Sequence, residues 1–126
     1  MGKRIISQRR GRGTSRFRNH AFYSKGPVQH YPLSSETVSG TVVDLVHCTN
    51  HTAPIAYIAY EDGQKGVVPA PELLRVGAHV AVGPSAPTQV GNTLPLSSIP
   101  DGTAVYNLEL RPGDGGRLVR AAVTCA

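Results

Sequence analysis

Residues 54 to 68, Pro54-Ile55-Ala56-Tyr57-Ile58-Ala59-Tyr60-Glu61-Asp62-Gly63-Gln64-Lys65-Gly66-Val67-Val68 (PIAYIAYEDGQKGVV), read as a β-hairpin. Its first arm alternates Ile55, Tyr57 and Ala59 against Ala56, Ile58 and Tyr60. Both sets are apolar, so the strand is expected in the middle of a sheet, with both faces covered. Glu61-Asp62-Gly63 supplies the turn, because glycine adopts the positive φ that a tight reversal requires. The chain then returns through Gln64 to Val68, and Pro69-Ala70-Pro71 ends the strand by withdrawing N–H donors.

The same alphabet continues on both sides. Upstream, Thr37 opens a β-branched run of Val38, Thr41, Val42, Val43, Leu45 and Val46, which reads as a long first strand, with Gly40 suited to a bulge or sharp bend. Downstream, Glu72 to Arg75 is expected to form one helical turn closed by Gly77, and His79 to Val82 a fourth short strand. Residues 83 to 102 are too long for an ordinary connection and are therefore expected to be functional or packed on something. Thr103 to Leu110 (TAVYNLEL) is expected as a fifth strand. Five short strands with this spacing predict an all-β fold, a small five-stranded OB-like barrel, with a sandwich of similar size as the other possibility.

Composition sets the same bounds. A chain of 126 residues holds one small domain plus an appendage, and 14 Gly with 10 Pro leave little room for long helices. Cys48 and Cys125 stand far apart with no framework around them, which argues against a disulfide-stapled secreted domain and for a reducing compartment. No apolar run approaches the roughly 20 residues of a membrane span, and the N-terminus has the charge of a signal peptide without its apolar middle. Met1-Gly2 starts a myristoylation pattern that Ile6 then breaks. Asn50-His51-Thr52 fits a glycosylation acceptor, which means nothing inside the cell.

Charge is distributed unevenly. Residues 1 to 35 carry Lys3, Arg4, Arg9, Arg10, Arg12, Arg16, Arg18 and Lys25 and no acid, whereas the remainder carries five cations and eight acids; +8 and −3 make up the net +5. A basic arm joined to a mildly acidic body points to a polyanionic partner. The arm has almost no apolar periodicity, so it is expected to be extended or disordered until it meets that partner. Arginine grips phosphate bidentately, the interspersed glycines allow close backbone approach, and Phe17, Phe22 and Tyr23 are placed for base stacking.

Other clusters read as weaker. His47, Cys48 and His51 look like metal ligands, but the further donors a structural site needs, His79 and Cys125, come from unrelated segments, so no metal site is expected. No serine occupies a nucleophile turn, and adjacent Glu61 and Asp62 would point to opposite sides of a strand, so no catalytic residue is assigned. Pro112-Gly113-Asp114-Gly115-Gly116 could offer backbone N–H groups to a phosphate, flanked by Arg111, Arg117 and Arg120; it lacks the Lys-Ser/Thr ending of a nucleotide loop. A free-standing OB module for single strands is the alternative reading, but Tyr57 and Tyr60 would face opposite sides and cannot form one stacking platform.

A family resemblance runs through Gly91-Asn92-Thr93-Leu94-Pro95-Leu96, Ile99-Pro100-Asp101-Gly102, Val105-Tyr106-Asn107, Glu109 and Pro112-Gly113-Asp114-Gly115-Gly116. With the opening GKRIISQRRGRGTSRFR, Ala53-Pro54-Ile55-Ala56, Glu61-Asp62-Gly63 and Val68-Pro69-Ala70-Pro71-Glu72, the sequence closely resembles the universal large-subunit ribosomal protein two family, in its archaeal and eukaryotic form. The resemblance implies a basic extension (residues 1 to 35), an OB barrel (36 to 116) and, at 117 to 126, the entrance to a second, SH3-like barrel that this chain is expected to lack, with Val123 where the family usually has Gly. It implies a structural, non-enzymatic role in the large subunit, in the cytoplasm, against large-subunit ribosomal RNA and neighbouring ribosomal proteins, with no membrane and no homo-oligomer. No cofactor is implied beyond Mg2+ held through the RNA. The implied RNA contacts are Lys3, Arg4, Arg9, Arg10, Arg12, Arg16, Phe17, Arg18 and Lys25 in the arm and Asn92, Thr93, Arg111, Arg117 and Arg120 on the body.

Overall fold

The structure is a computed structural model and describes residues 2–3, 5–18, 24–32, 34–122 and 124–126. Four strands form one antiparallel sheet: β1 (Val38–Val46), β2 (Ile55–Tyr60), β3 (Lys65–Pro69) and β4 (His79–Val82), in the order β3-β2-β1-β4. The all-β class is as expected. The sheet is open, however, and a closed five-stranded barrel does not describe it.

The fifth strand fails for a local reason. Asn107 and Val119 both take positive φ, 53° and 52°, which breaks the extended alternation on either side. Residues 105 to 108 therefore pair only piecemeal, and with the chain's own end rather than the sheet. Asn107 N–H donates to Val119 O at 2.9 Å, Leu108 makes a single antiparallel bridge with Leu118, and Val105 and Ala126 exchange N–H···O bonds of 3.1 and 3.0 Å.

The central place of the 55–60 strand is borne out: β2 lies between β1 and β3. On one face Ala56, Ile58 and Tyr60 join Val42, Val68 and Val80 in the main core; on the other, Ile55 packs with Val28 and Cys48. The 61–64 turn forms as read, with Gly63 at φ 84° and Tyr60 N–H bonded to Gln64 O at 3.0 Å.

Two local readings are corrected. The bulge in β1 falls between Val42 and Asp44, leaving Val43 57% exposed, while Gly40 is there to receive the Tyr60 ring. No helical turn forms over residues 72 to 75: Glu72 and Leu73 make a turn, with Leu73 at φ 70°, a left-handed conformation that a right-handed helix does not continue. The long 83–102 loop is packed, as its length implied. Thr93 bridges Val82 in parallel, Ala81 N–H donates to Asn92 Oδ1 at 2.8 Å, and Asn92 Nδ2 donates to Pro87 O at 2.8 Å.

Candidate nucleic-acid interface

The arm begins with a five-residue helix, α1 (Ile6–Arg10), that buries none of its residues. Arg9 and Arg10 sit in its last turn, where cations complement the helix carbonyl end. A single 3-10 turn follows at Ser15–Phe17, with the Phe17 N–H on Thr14 O at 2.8 Å. Lys3, Arg9, Arg10, Arg12, Arg16, Arg18 and Lys25 are exposed, and Phe17 is half-buried. Arg4, Phe22, Tyr23 and Val123 lie outside the described residues.

The root of the arm is fastened to the sheet over Lys25 to Tyr31. Tyr57 hydroxyl donates to Lys25 O at 3.3 Å, and Val28, 7% exposed, enters the second core with Cys48 and Ile55. Gln29 N–H donates to Val67 O at 3.1 Å, an antiparallel bridge on the free edge of β3. His30 Nε2 donates to Asn107 O at 2.7 Å, which ties the C-terminal segment to the same strap. Tyr31 stacks on Tyr60 at 4.6 Å between centroids, tilted 60°, and its hydroxyl donates to Asp62 in the β2–β3 turn. That bond draws the Asp62 carboxyl below its usual range, helped by the Gln64 N–H, and raises the Tyr31 hydroxyl. Burial pushes the Tyr60 hydroxyl to about 12.

The body residues are not gathered with the arm into one patch. Asn92 uses its side-chain amide, and Thr93 its backbone N–H and C=O, to hold the 83–102 loop to β4, as described above. Arg111 and Arg117 are exposed, and Arg120 is half-buried with Nε unpartnered among the described residues. Arg111 and Arg120 border an open, largely apolar cleft between the strap and the C-terminal segment, together with His30, Tyr31 and Asn107; Arg117 lies away from it.

The glycine-rich turn after Arg111 does form a nest for an anion, but the chain fills it itself. Gly113 N–H donates to Glu109 Oε2 at 3.1 Å and Gly115 N–H to Glu109 Oε1 at 3.0 Å. A carboxylate thus takes the backbone N–H groups that the turn could otherwise offer to a phosphate. Any phosphate contact here falls to the flanking arginine side chains.

Tyr60 is 5% exposed and Tyr57 half-buried on the other face of β2, so no aromatic platform for single strands exists there. Cys48 is fully buried with Sγ 3.2 Å from His51 Nδ1. This bond, with the Lys25 and Asn50 N–H groups, lowers the thiol to about 7 against the opposing effect of burial. Among the described residues no three His, Cys, Asp or Glu side chains converge as a metal site, and no helix is long and apolar enough to cross a membrane. The strap itself was missed in the sequence; its only signal is Val28 among polar neighbours.

An antiparallel sheet with an acid-free cationic arm whose root is strapped to its edge defines a small β protein with a basic extension. Two family models match it: the ribosomal proteins L2 RNA binding N-terminal domain over residues 2–82, and the ribosomal proteins L2 C-terminal domain over residues 89–126. The chain is 46% identical over 126 residues to the large ribosomal subunit protein uL2 of Hyperthermus butylicus, covering all of this chain and 53% of that protein. It is 45% identical over 130 residues to uL2 of Methanothermobacter thermautotrophicus and 47% over 130 residues to uL2 of Methanobrevibacter smithii, covering 54% of each. The chain belongs to the ribosomal protein L2 family, and it spans about half the length of the relatives it matches.

Proposed function

We propose that the chain is a structural constituent of the large ribosomal subunit, binding and stabilising large-subunit ribosomal RNA in translation and catalysing no reaction. The observation that carries this reading is the mounting of the arm: exposed cations at Lys3, Arg9, Arg10, Arg12, Arg16 and Arg18 extend from a root that is hydrogen-bonded into a folded sheet. Such an arm neutralises phosphates along an irregular path, which suits folded RNA, while the sheet fixes where that path starts. Phe17 is available for stacking, and Arg4 belongs to the same charge run. Arg111, Arg117 and Arg120 supply a second, weaker set of phosphate contacts. Asn92 and Thr93, on the 83–102 loop, belong to that second set of RNA contacts.

The partners are large-subunit ribosomal RNA and neighbouring ribosomal proteins in the cytoplasm, with no second copy of the chain. The protein needs no cofactor of its own, and Mg2+ enters only through the RNA. Sucrose-gradient sedimentation of tagged chain from its native cell, repeated after a high-salt wash, tests the assignment. Co-migration with large subunits and translating ribosomes through the wash is expected; chain found free at the top of the gradient refutes it.

A further inference from the structure

The segment around Asn107 is paired along one edge only. Val105 and Ala126 exchange backbone bonds and Asn107 N–H donates to Val119 O. Among the described residues, the N–H groups of Ala104 and Tyr106 donate to nothing and their carbonyls accept nothing. These two residues therefore present the free edge of an extended segment, the kind of edge that takes up a further strand.

That edge borders the open cleft between the strap and the C-terminal segment, a space of about 1050 Å³. Leu73, Val90, Leu96 and Leu110 stand around the same cleft, each more than half exposed. Large apolar side chains gathered around one opening are a surface that a partner covers. The cleft also lacks polar partners: His30 Nδ1, Asn107 Oδ1 and Arg120 Nε are buried on its walls and unbonded among the described residues. Buried polar atoms are ordinarily paired, so these walls suit an occupant that brings backbone groups as well as apolar side chains.

The comparisons with relatives say which polypeptide fits. The free edge and much of the cleft wall lie within residues 89–126, the stretch matched by the L2 C-terminal domain model, and the chain covers only 53% of the Hyperthermus butylicus relative. We propose that the cleft is a docking surface for the part of the L2 protein that this chain does not cover. One segment of that part adds as an extended strand along Ala104 to Tyr106, and its apolar side chains cover the four exposed residues. The occupant is thus a polypeptide of the same family, and the inference goes beyond RNA binding and does not depend on it.

The test uses the whole chain and, as probe, the uncovered part of the Hyperthermus butylicus uL2 protein produced as a separate polypeptide, in buffer without RNA. A one-to-one complex in sedimentation equilibrium is expected, with amide exchange slowed on binding at Ala104 and Tyr106 and unchanged at Val42, which is already bonded to Ala78 O. Leu96→Asp with Leu110→Asp alters exposed side chains, so the strand signature in circular dichroism is kept while the complex weakens by about tenfold or more. Val43→Asp, comparably exposed on β1 and away from the cleft, leaves the affinity unchanged. Two polypeptides that sediment separately overturn the proposal. A complex that leaves the Ala104 and Tyr106 amides unprotected and tolerates the leucine changes overturns it too. Self-association of the chain abolished by those same changes would give the cleft to a second copy instead. None of these outcomes touches the RNA-binding reading, which the gradient experiment tests on its own.

Discussion

The Tyr60 ring lies directly over Gly40, its register partner across β1 and β2, so that a Cβ on Gly40 would stand 2.8 Å from Tyr60 Cδ1. Ile58 Cγ2 would be 2.9 Å away, and Gly66 on β3 leaves the same kind of room, with Tyr60 Cε2 2.7 Å from its Cβ position. A buried aromatic thus occupies the space two missing side chains provide. Gly40→Ala is expected to destabilise the sheet by about 1–3 kcal/mol, the usual range for overpacking, as read by urea unfolding. An unchanged midpoint would mean the ring is free to move aside.

Gly116 meets a harder obstacle. A Cβ there would stand 1.8 Å from Asn107 Oδ1, and Asn107 is 3% exposed in a left-handed conformation. Gly116→Ala is expected to expel Asn107 and unzip the 105–119 pairing while β1 to β4 persist. Hydrogen exchange should then accelerate at the Asn107 and Leu118 amides, which bond to Val119 O and Leu108 O, and stay slow at Val42.

Glu109 fills the nest at Gly113 and Gly115, so its removal empties it. Glu109→Ala is expected to speed tryptic cleavage after Arg117, with Glu109→Gln intermediate because one amide oxygen can still accept. Equal cleavage in all three chains would show that the turn holds its shape without the carboxylate.

Tyr31 and Asp62 link stability to pH at both extremes. The Asp62 carboxyl is depressed, so its contribution is complete above the usual carboxylate range and disappears as pH falls through its lowered value. The Tyr31 hydroxyl is raised, so its contribution is complete below about 10 and disappears as pH rises through the folded value. Tyr31→Phe is expected to return the Asp62 carboxyl toward its ordinary range in an NMR titration, with only a small loss of stability because both groups are exposed. An Asp62 titration unmoved by the change would remove the bond from the account.

Deleting residues 2 to 18 removes most of the arm's cations and none of the sheet contacts made by Lys25 to Tyr31. RNA affinity should fall steeply and the salt dependence flatten, with the strand signature in circular dichroism retained. Arg117→Ala with Arg120→Ala should weaken binding less, about 1 kcal/mol per phosphate contact. A larger loss from the second pair would reverse the ranking of the two surfaces.

The strands of the sheet, the Gly63 turn, the central place of residues 55 to 60 and the basic arm are all legible in the sequence. Each of these is written locally, as side-chain alternation, a glycine at a reversal or a run of like charge. Tertiary structure decided what lies between distant segments: Val28 entering the second core, Gln29 bridging Val67, Glu109 turning back into its own glycine loop, and Tyr60 claiming the space over Gly40 and Gly66. TAVYNLEL has the alternation of a strand and still forms none, because Asn107 takes a left-handed conformation and pairs with Val119 rather than with the sheet. Local propensity sets what a segment can become; the partners that reach it in space, through backbone hydrogen bonds and close packing, set what it does become.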